Sequence, residues 1–211
     1  MENIDDLVAR LAQDASHVKP APPPFMLSLK WIAAAVIYLG VSLAVSGLRS
    51  DLMATLHNGW FLAELLSLLG IFIITALSAA LLAFPDLHQK RLLVFAPVLP
   101  VFVFLLVMYF SWRNDSPPAP MPMHSFECTL SILSVALLPA VWTFYAMRQY
   151  ASTHHRLAGS VALLCALSVG ALWLRLHEET NSIVHVIEWH YLPMLVVAFI
   201  GMWLGRRFLK W

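Results

Sequence analysis

Side chains able to ligate a transition metal gather near the same ends of the chain's apolar segments: His57, His124, Glu127, Cys128, His177, Glu178, Glu179, His185, Glu188 and His190. Imidazole nitrogen and thiolate sulfur suit copper or zinc, and histidines at the ends of different spans can converge in a bundle. Their spacing matches no specific motif. His124 and Cys128 stand at i and i+4 if a helix starts early there, whereas the stretch from His177 to His190 reads as loop and constrains no geometry. Taken from the residues alone, these are scattered polar loop groups before they are a metal site. Of the two cysteines, Cys165 lies about eleven residues below the outer end of its segment, roughly 16 Å, and Cys128 only a few ångströms deep. A disulfide needs Cα atoms within about 7 Å, so the pair does not close within one chain. Cys165 reads as a small buried apolar residue and Cys128 as the better-placed thiol.

Ionisable groups inside apolar segments are the other default candidates, because charge in hydrocarbon is costly. Glu64 lies about four residues into its segment and reads either as a satisfied carboxyl, partnered by an outer-side Arg or His, or as a sensing one. Lys30 can snorkel to the surface, and Arg175 stands at a segment end. None is at midplane, where a transporter's site usually sits. There is no phosphate-binding glycine loop, no His-Glu-x-x-His pair and no nucleophile elbow, so the chain does not read as an enzyme. His154 and His155 beside Arg156 read as a hydrated loop.

The elements that must position these groups follow from composition. Of 211 residues, 60% are hydrophobic and 12% charged, where a soluble domain carries roughly a quarter charged. Apolar runs at about 27–47, 59–84, 92–112, 126–147, 157–176 and 189–205 each approach the ~20 residues that span a bilayer. The expected fold is all-α: a polytopic membrane protein with six transmembrane helices and both termini on one side. Arg10, Lys19, Lys30, Lys90, Arg91, Arg148, Arg156, Arg206, Arg207 and Lys210 fall on one side of that map, and Arg49, Arg113 and Arg175 on the other. The positive-inside rule makes the first side cytoplasmic. Pro97, Pro100, Pro139 and Pro193 are expected to kink their spans, and Gly201-x-x-x-Gly205 to permit close packing, inside the monomer rather than as a dimer motif. No extramembrane segment besides the N-terminal arm is large enough for a catalytic domain. Net charge of +1 gives no reason to expect nucleic-acid binding.

Residues 1–25 are set apart from the transmembrane domain at 26–211. Long, polar and acidic, they are unlike a short basic signal leader. Ile4, Leu7, Val8 and Leu11 fall at i, i+3, i+4 and i+7, one face of a helix, and Asp5, Asp6, Arg10 and Asp14 occupy the rest. Asn3 can cap this helix, and Asp6 and Arg10 form a favourable i to i+4 pair. About a dozen residues are marginal alone in water, so the stripe wants an apolar partner. Lys19-Pro20-Ala21-Pro22-Pro23-Pro24 then supplies an extended spacer.

The opening Ile4-Asp5-Asp6-Leu7-Val8-Ala9-Arg10-Leu11-Ala12-Gln13-Asp14, its Pro-rich spacer, Gly47-Leu48-Arg49-Ser50-Asp51, Cys128 with Ser131-Ile132 and Pro139, and the ending Leu204-Gly205-Arg206-Arg207-Phe208-Leu209-Lys210-Trp211 together resemble the NrsF-like family of six-span bacterial anti-sigma factors. The resemblance implies a protein of the bacterial inner membrane whose cytoplasmic arm, through Ile4, Asp5, Asp6, Leu7, Val8, Arg10, Leu11 and Asp14, holds an extracytoplasmic-function sigma factor until a signal arrives. In relatives that signal is often a heavy metal or a related stress. No resident cofactor is implied; a copper- or zinc-type ion would be the signal. Family members often carry a second cysteine directly after a histidine at the outer end of the fifth span, where this chain has His177-Glu178-Glu179. The resemblance therefore leaves a mixed site of Cys128, His177, Glu178, His190 and His124. The rival expectation is a small inner-membrane metal or solute carrier whose arm lies on the bilayer.

Overall fold

The computed structural model describes residues 4–13, 21–85, 91–114, 125–150 and 152–210. Helix α1 (Ile4–Gln13) is the amphipathic arm. Pro23, at φ −60° and ψ 142°, is in the extended polyproline conformation and leads directly into α2 (Pro24–Ser46). Gly47 ends α2 at φ +86°, a backbone that a side chain would strain. A short α3 (Leu52–Leu56) precedes α4 (Gly59–Leu82), which Asn58 caps by accepting from the Trp60 N–H at 2.9 Å. Then come α5 (Arg91–Val94), α6 (Val98–Asn114), α7 (Ser125–Arg148) and α8 (His155–His177). The last helix runs through α9 (Ile183–His185), a π-helical turn at Val186–Tyr191 and α10 (Leu192–Phe208).

Five of these helices are long and apolar enough to cross a membrane: Pro24–Ser46, Gly59–Leu82, Ser125–Arg148, His155–His177 and Ile183–Phe208. Their outward faces carry Ile37, Val45, Leu137, Phe199 and Trp203, whereas Ser67, Thr75, Thr129, Ser168 and two histidines are buried. Apolar outside and polar inside is the exposure pattern of a polytopic membrane protein. Two expected boundaries move. The run at 92–112 is divided at Phe95–Pro97 into α5 and the 17-residue α6, because a proline cannot donate the helix bond there. The last span begins at Ile183 rather than 189, since Ser182 caps it and the supposed loop up to His190 is helical.

Helix α8 is the hub, packed by α10, α7, α4 and α2. Most of its central window is buried (78%), against 11% for α2. The reason is a row of small residues, Ala158, Ala162, Ala166 and Gly170, four apart on one face, with Gly159 beside it. In hydrocarbon, helices associate by close packing and hydrogen bonding rather than by excluding water, and small residues let backbones meet. A Cβ on Gly159 would lie 2.2 Å from the Gly201 carbonyl oxygen, and one on Gly205 2.1 Å from that of His155. Gly201-x-x-x-Gly205 thus packs inside the monomer, as expected.

This contact yields a stability prediction. Gly159→Ala forces two backbones apart and should cost about 1–3 kcal/mol, read as earlier thermal unfolding in detergent. Gly40→Ala, with nothing within 4 Å of the added methyl, should hold or raise stability. Equal behaviour of the two would refute close α8–α10 packing.

Candidate functional site

At one end of the bundle the structure buries an ion pair. Glu64 of α4 accepts from Arg175 Nε at 2.6 Å and from Nη2 at 3.0 Å, and Tyr191 donates its hydroxyl to the same carboxylate. Arg175 Nη1 donates to the Thr180 carbonyl at 2.9 Å, and both charged side chains are 4% exposed. Glu64 is therefore a partnered structural carboxyl. Above it, the Gly47–Asp51 segment is sewn to the end of α8. The Arg49 N–H donates to the Leu176 carbonyl at 3.0 Å, the Arg49 side chain grips Asp51 at 2.6 and 2.9 Å and Asn181 at 2.8 Å, and Ser50 donates through backbone and hydroxyl to Glu179. The Arg49 hydrogen bonds hold the Asp51 carboxyl down at about 2, and those from Ser50 lower that of Glu179.

Beside this ion pair, Cys128, Glu178, His185 and His190 bring one ligand atom each to within 4.8 Å of one another. Cys128 Sγ is 3.5 Å from Glu178 Oε1, His190 Nε2 is 3.4 Å from Oε2, and His185 Nε2 is 3.9 Å from Oε1. The two imidazole rings meet edge to face with centroids 5.1 Å apart. Both histidines are fully buried, and among the described residues all four of their ring nitrogens and Glu178 Oε2 have no hydrogen-bond partner. Burial pushes the Glu178 carboxyl up; the His190 ring, the Thr180 hydroxyl donating at 2.5 Å and the Cys128 thiol outweigh it and hold it at about 2.

Local rules build this cluster. Pro193 has no N–H, so the carbonyl four residues earlier, Trp189, loses its helical donor; Thr129 Oγ1 supplies one at 2.5 Å. That bond sets α7, and with it the adjacent Cys128, against the final helix. In the same stretch the backbone adopts i to i+5 bonding, the Leu192 N–H reaching the Ile187 carbonyl. At 3.6 residues per turn, positions 185 and 190 would be roughly 140° apart; the wider π turn brings them to one side. Glu178 leaves α8 in extended conformation, at φ −89° and ψ 138°, and so points away from its helical neighbour His177.

The chain's kinship can be read on top of this geometry. The family described as negative regulator of sigma F, NrsF, matches residues 11–211. This chain belongs to the NrsF family. The anti-sigma-F factor NrsF of Caulobacter vibrioides (strain NA1000 / CB15N) is 27% identical over 230 residues, covering 98% of this chain and 99% of that protein. No solved structure matches significantly. The NrsF family is one of negative regulators.

In this NrsF-family chain the structure brings together Cys128, Glu178 and His190 of the expected site and adds His185. It does not bring His177, whose Nδ1 donates to the Gly47 carbonyl at 2.9 Å and whose ring stacks on Trp173 at 5.0 Å. That residue tightens the Gly47 turn instead. His124 lies outside the described residues, as does Asp14 of the arm. His57 bonds the Met53 carbonyl and is not among the four clustered ligands. Cys128 and Cys165 are both free thiols. Ile4, Asp5, Asp6, Leu7, Val8, Arg10 and Leu11 all lie exposed on α1.

Removing Arg175 leaves a buried carboxylate unpaired, so Arg175→Met should destabilise the bundle by about 3–5 kcal/mol. The double variant Arg175→Met with Glu64→Leu should recover a large part of that loss. Chemical unfolding in detergent checks this, and a double variant as unstable as the single one would contradict the pairing.

Proposed function

We propose that this chain is a bacterial inner-membrane anti-sigma factor: α1 sequesters an extracytoplasmic-function sigma factor on the cytoplasmic side and releases it when a signal acts on the opposite end of the bundle. The observation that carries the reading is the arm's bare stripe. Ile4, Leu7, Val8 and Leu11 are 76%, 49%, 58% and 63% exposed and no residue of α1 is buried, in a member of a family of negative regulators of sigma F. An amphipathic helix that short binds by laying its apolar side chains into a groove of a partner. Lipid is the poorer partner, because surface-seeking helices carry Lys and Arg, and this one carries Asp5 and Asp6. Those acids suit basic sigma surfaces that otherwise meet DNA or polymerase.

The transmembrane arrangement that goes with this has six crossings, α5 with α6 providing the divided one, and both termini inside. Arg206, Arg207 and Lys210 at the far end of the last helix and Arg148 at the end of α7 support that sense. The Cys128, Glu178 and His190 cluster then faces the periplasm. A signal there shifts the arm's availability only by as much as it prefers one bundle state over another.

The test is direct. Leu7→Asp should weaken capture of the sigma factor by about 2 kcal/mol or more, roughly thirtyfold, and derepress its target promoter. An unchanged promoter at normal protein level would reject the arm as the binding element. Deleting residues 2–18 should likewise abolish repression, whereas a carrier would keep transport.

A further inference from the structure

We propose that Cys128, Glu178, His185 and His190 form a four-ligand site for one divalent transition-metal ion of the zinc class. Glu178 Oε1 is answered by the Thr180 hydroxyl and the Cys128 thiol, but no hydrogen bond among the described residues answers its Oε2 or the nitrogens of the two buried imidazoles. An unsatisfied buried donor or acceptor costs about 1–3 kcal/mol, and the cluster holds the Glu178 Oε2 atom and both nitrogens of two fully buried rings in that condition. An ion coordinated by one nitrogen of each ring, by the carboxylate and by the thiolate removes three of those deficits at once.

The distances fit. With zinc bonds of about 2.0–2.3 Å, the ligand atoms of a tetrahedral centre lie roughly 3.3–3.7 Å apart. Cys128 Sγ and His185 Nε2 stand 3.5 and 3.9 Å from Glu178 Oε1, and His190 Nε2 stands 3.4 Å from Oε2, so each partner is already near that edge length from one of the two carboxylate oxygens. The remaining separations, none above 4.8 Å, close by side-chain adjustment.

The donor set selects the ion class. Two imidazole nitrogens, one sulfur and one carboxylate oxygen are too soft for magnesium or calcium, which take oxygen ligands, and too poor in sulfur to favour copper(I). A borderline ion with no geometric demand of its own, content with four ligands, matches best. Thr180, which donates to Glu178 at 2.5 Å, fixes the carboxylate's orientation from outside the ligand shell. The ligands come from three separate elements, α7, the α8 exit and the π turn, so the ion would clamp them together. This names the ligand of the outer end in the anti-sigma reading, and it rests on that reading only for its biological consequence.

Full-length protein in detergent, stripped with a chelator, is titrated with cobalt(II) and then zinc(II). One equivalent of cobalt should bind with the intense visible bands of a tetrahedral centre and a thiolate-to-cobalt charge-transfer band, and zinc should bleach both. Cys128→Ser should abolish the charge-transfer band. Glu178→Gln and His190→Ala should each weaken binding about tenfold or more, and His177→Ala should leave it unchanged. Monodisperse elution and metal-free thermal unfolding verify that each variant folds; Cys128→Ser and Glu178→Gln, the near-isosteric changes, decide the matter if His190→Ala does not. No uptake, a pale six-coordinate spectrum, or a charge-transfer band that survives Cys128→Ser would overturn the site. Sigma-factor capture by the same samples separates the two readings. Capture without metal uptake removes the site and leaves the anti-sigma function, and uptake without capture does the reverse.

Discussion

Arg175 is a full positive charge that the bundle buries, and the fold is arranged so that this can be tolerated. Moving a lone charge out of water costs several kcal/mol even after relaxation. Glu64 answers it from α4 with two hydrogen bonds, Thr180 answers the remaining nitrogen from the loop, and Tyr191 answers the carboxylate from the final helix. Four separate parts of the chain meet at one ion pair. Their mutual placement is therefore fixed before any side chain of the neighbouring Cys128 cluster is considered, since Tyr191 follows His190 directly and Thr180 stands two residues after Glu178.

A second constraint operates along the spans. Each proline inside a helix orphans the carbonyl four residues before it, and no water is present in hydrocarbon to satisfy that oxygen. Pro139 frees Val135, whose carbonyl accepts from Tyr38 of α2 at 2.9 Å. Pro193 frees Trp189, whose carbonyl accepts from Thr129 of α7. Both prolines thereby become points of attachment to another helix. In the second case the attachment aligns Cys128 with the imidazoles, so a backbone deficit in one helix decides where a thiol of another lies.

Five of the six expected apolar runs as long helices and the role of Gly201 and Gly205 were legible in the sequence because composition and small-residue spacing speak directly to burial in lipid; the sixth run is divided by Pro97, which its mean composition hides. The amphipathic arm was legible for the same reason, its period being that of an α-helix. The cluster was only partly so. His185 and His190 are five apart, a spacing that no α-helical or strand period reads as one face, and only the π turn aligns them. His177 looked as good as Glu178 because adjacent residues at a helix end diverge according to the first non-helical dihedral, which the sequence does not display. The Glu64–Arg175 pair, 111 residues apart, could be suspected from the cost of burying either charge, yet its third member, Tyr191, carries no charge to betray it.

What such a cluster can do for the arm depends on how many elements its ligands join. A ligand moves an equilibrium only by its differential affinity for the two states, and carrying a population from 1:99 to 99:1 needs about 5.5 kcal/mol. Were all four groups on one helix, any bundle rearrangement would carry them together and an ion would bind both states alike. Here Cys128 rides on α7, Glu178 on the loop leaving α8, and His185 and His190 on the final helix. A displacement of one element by an ångström or two opens the set and forfeits most of the coordination. The Gly159 contact with Gly201 and Gly205 holds α8 and the final helix at backbone contact distance, and Gly170 does the same for α8 and α7, where an added Cβ would lie 2.5 Å from the Ile132 carbonyl oxygen; the three elements that carry the ligands thus meet on α8, and a shift of either partner along it is what the set would resist.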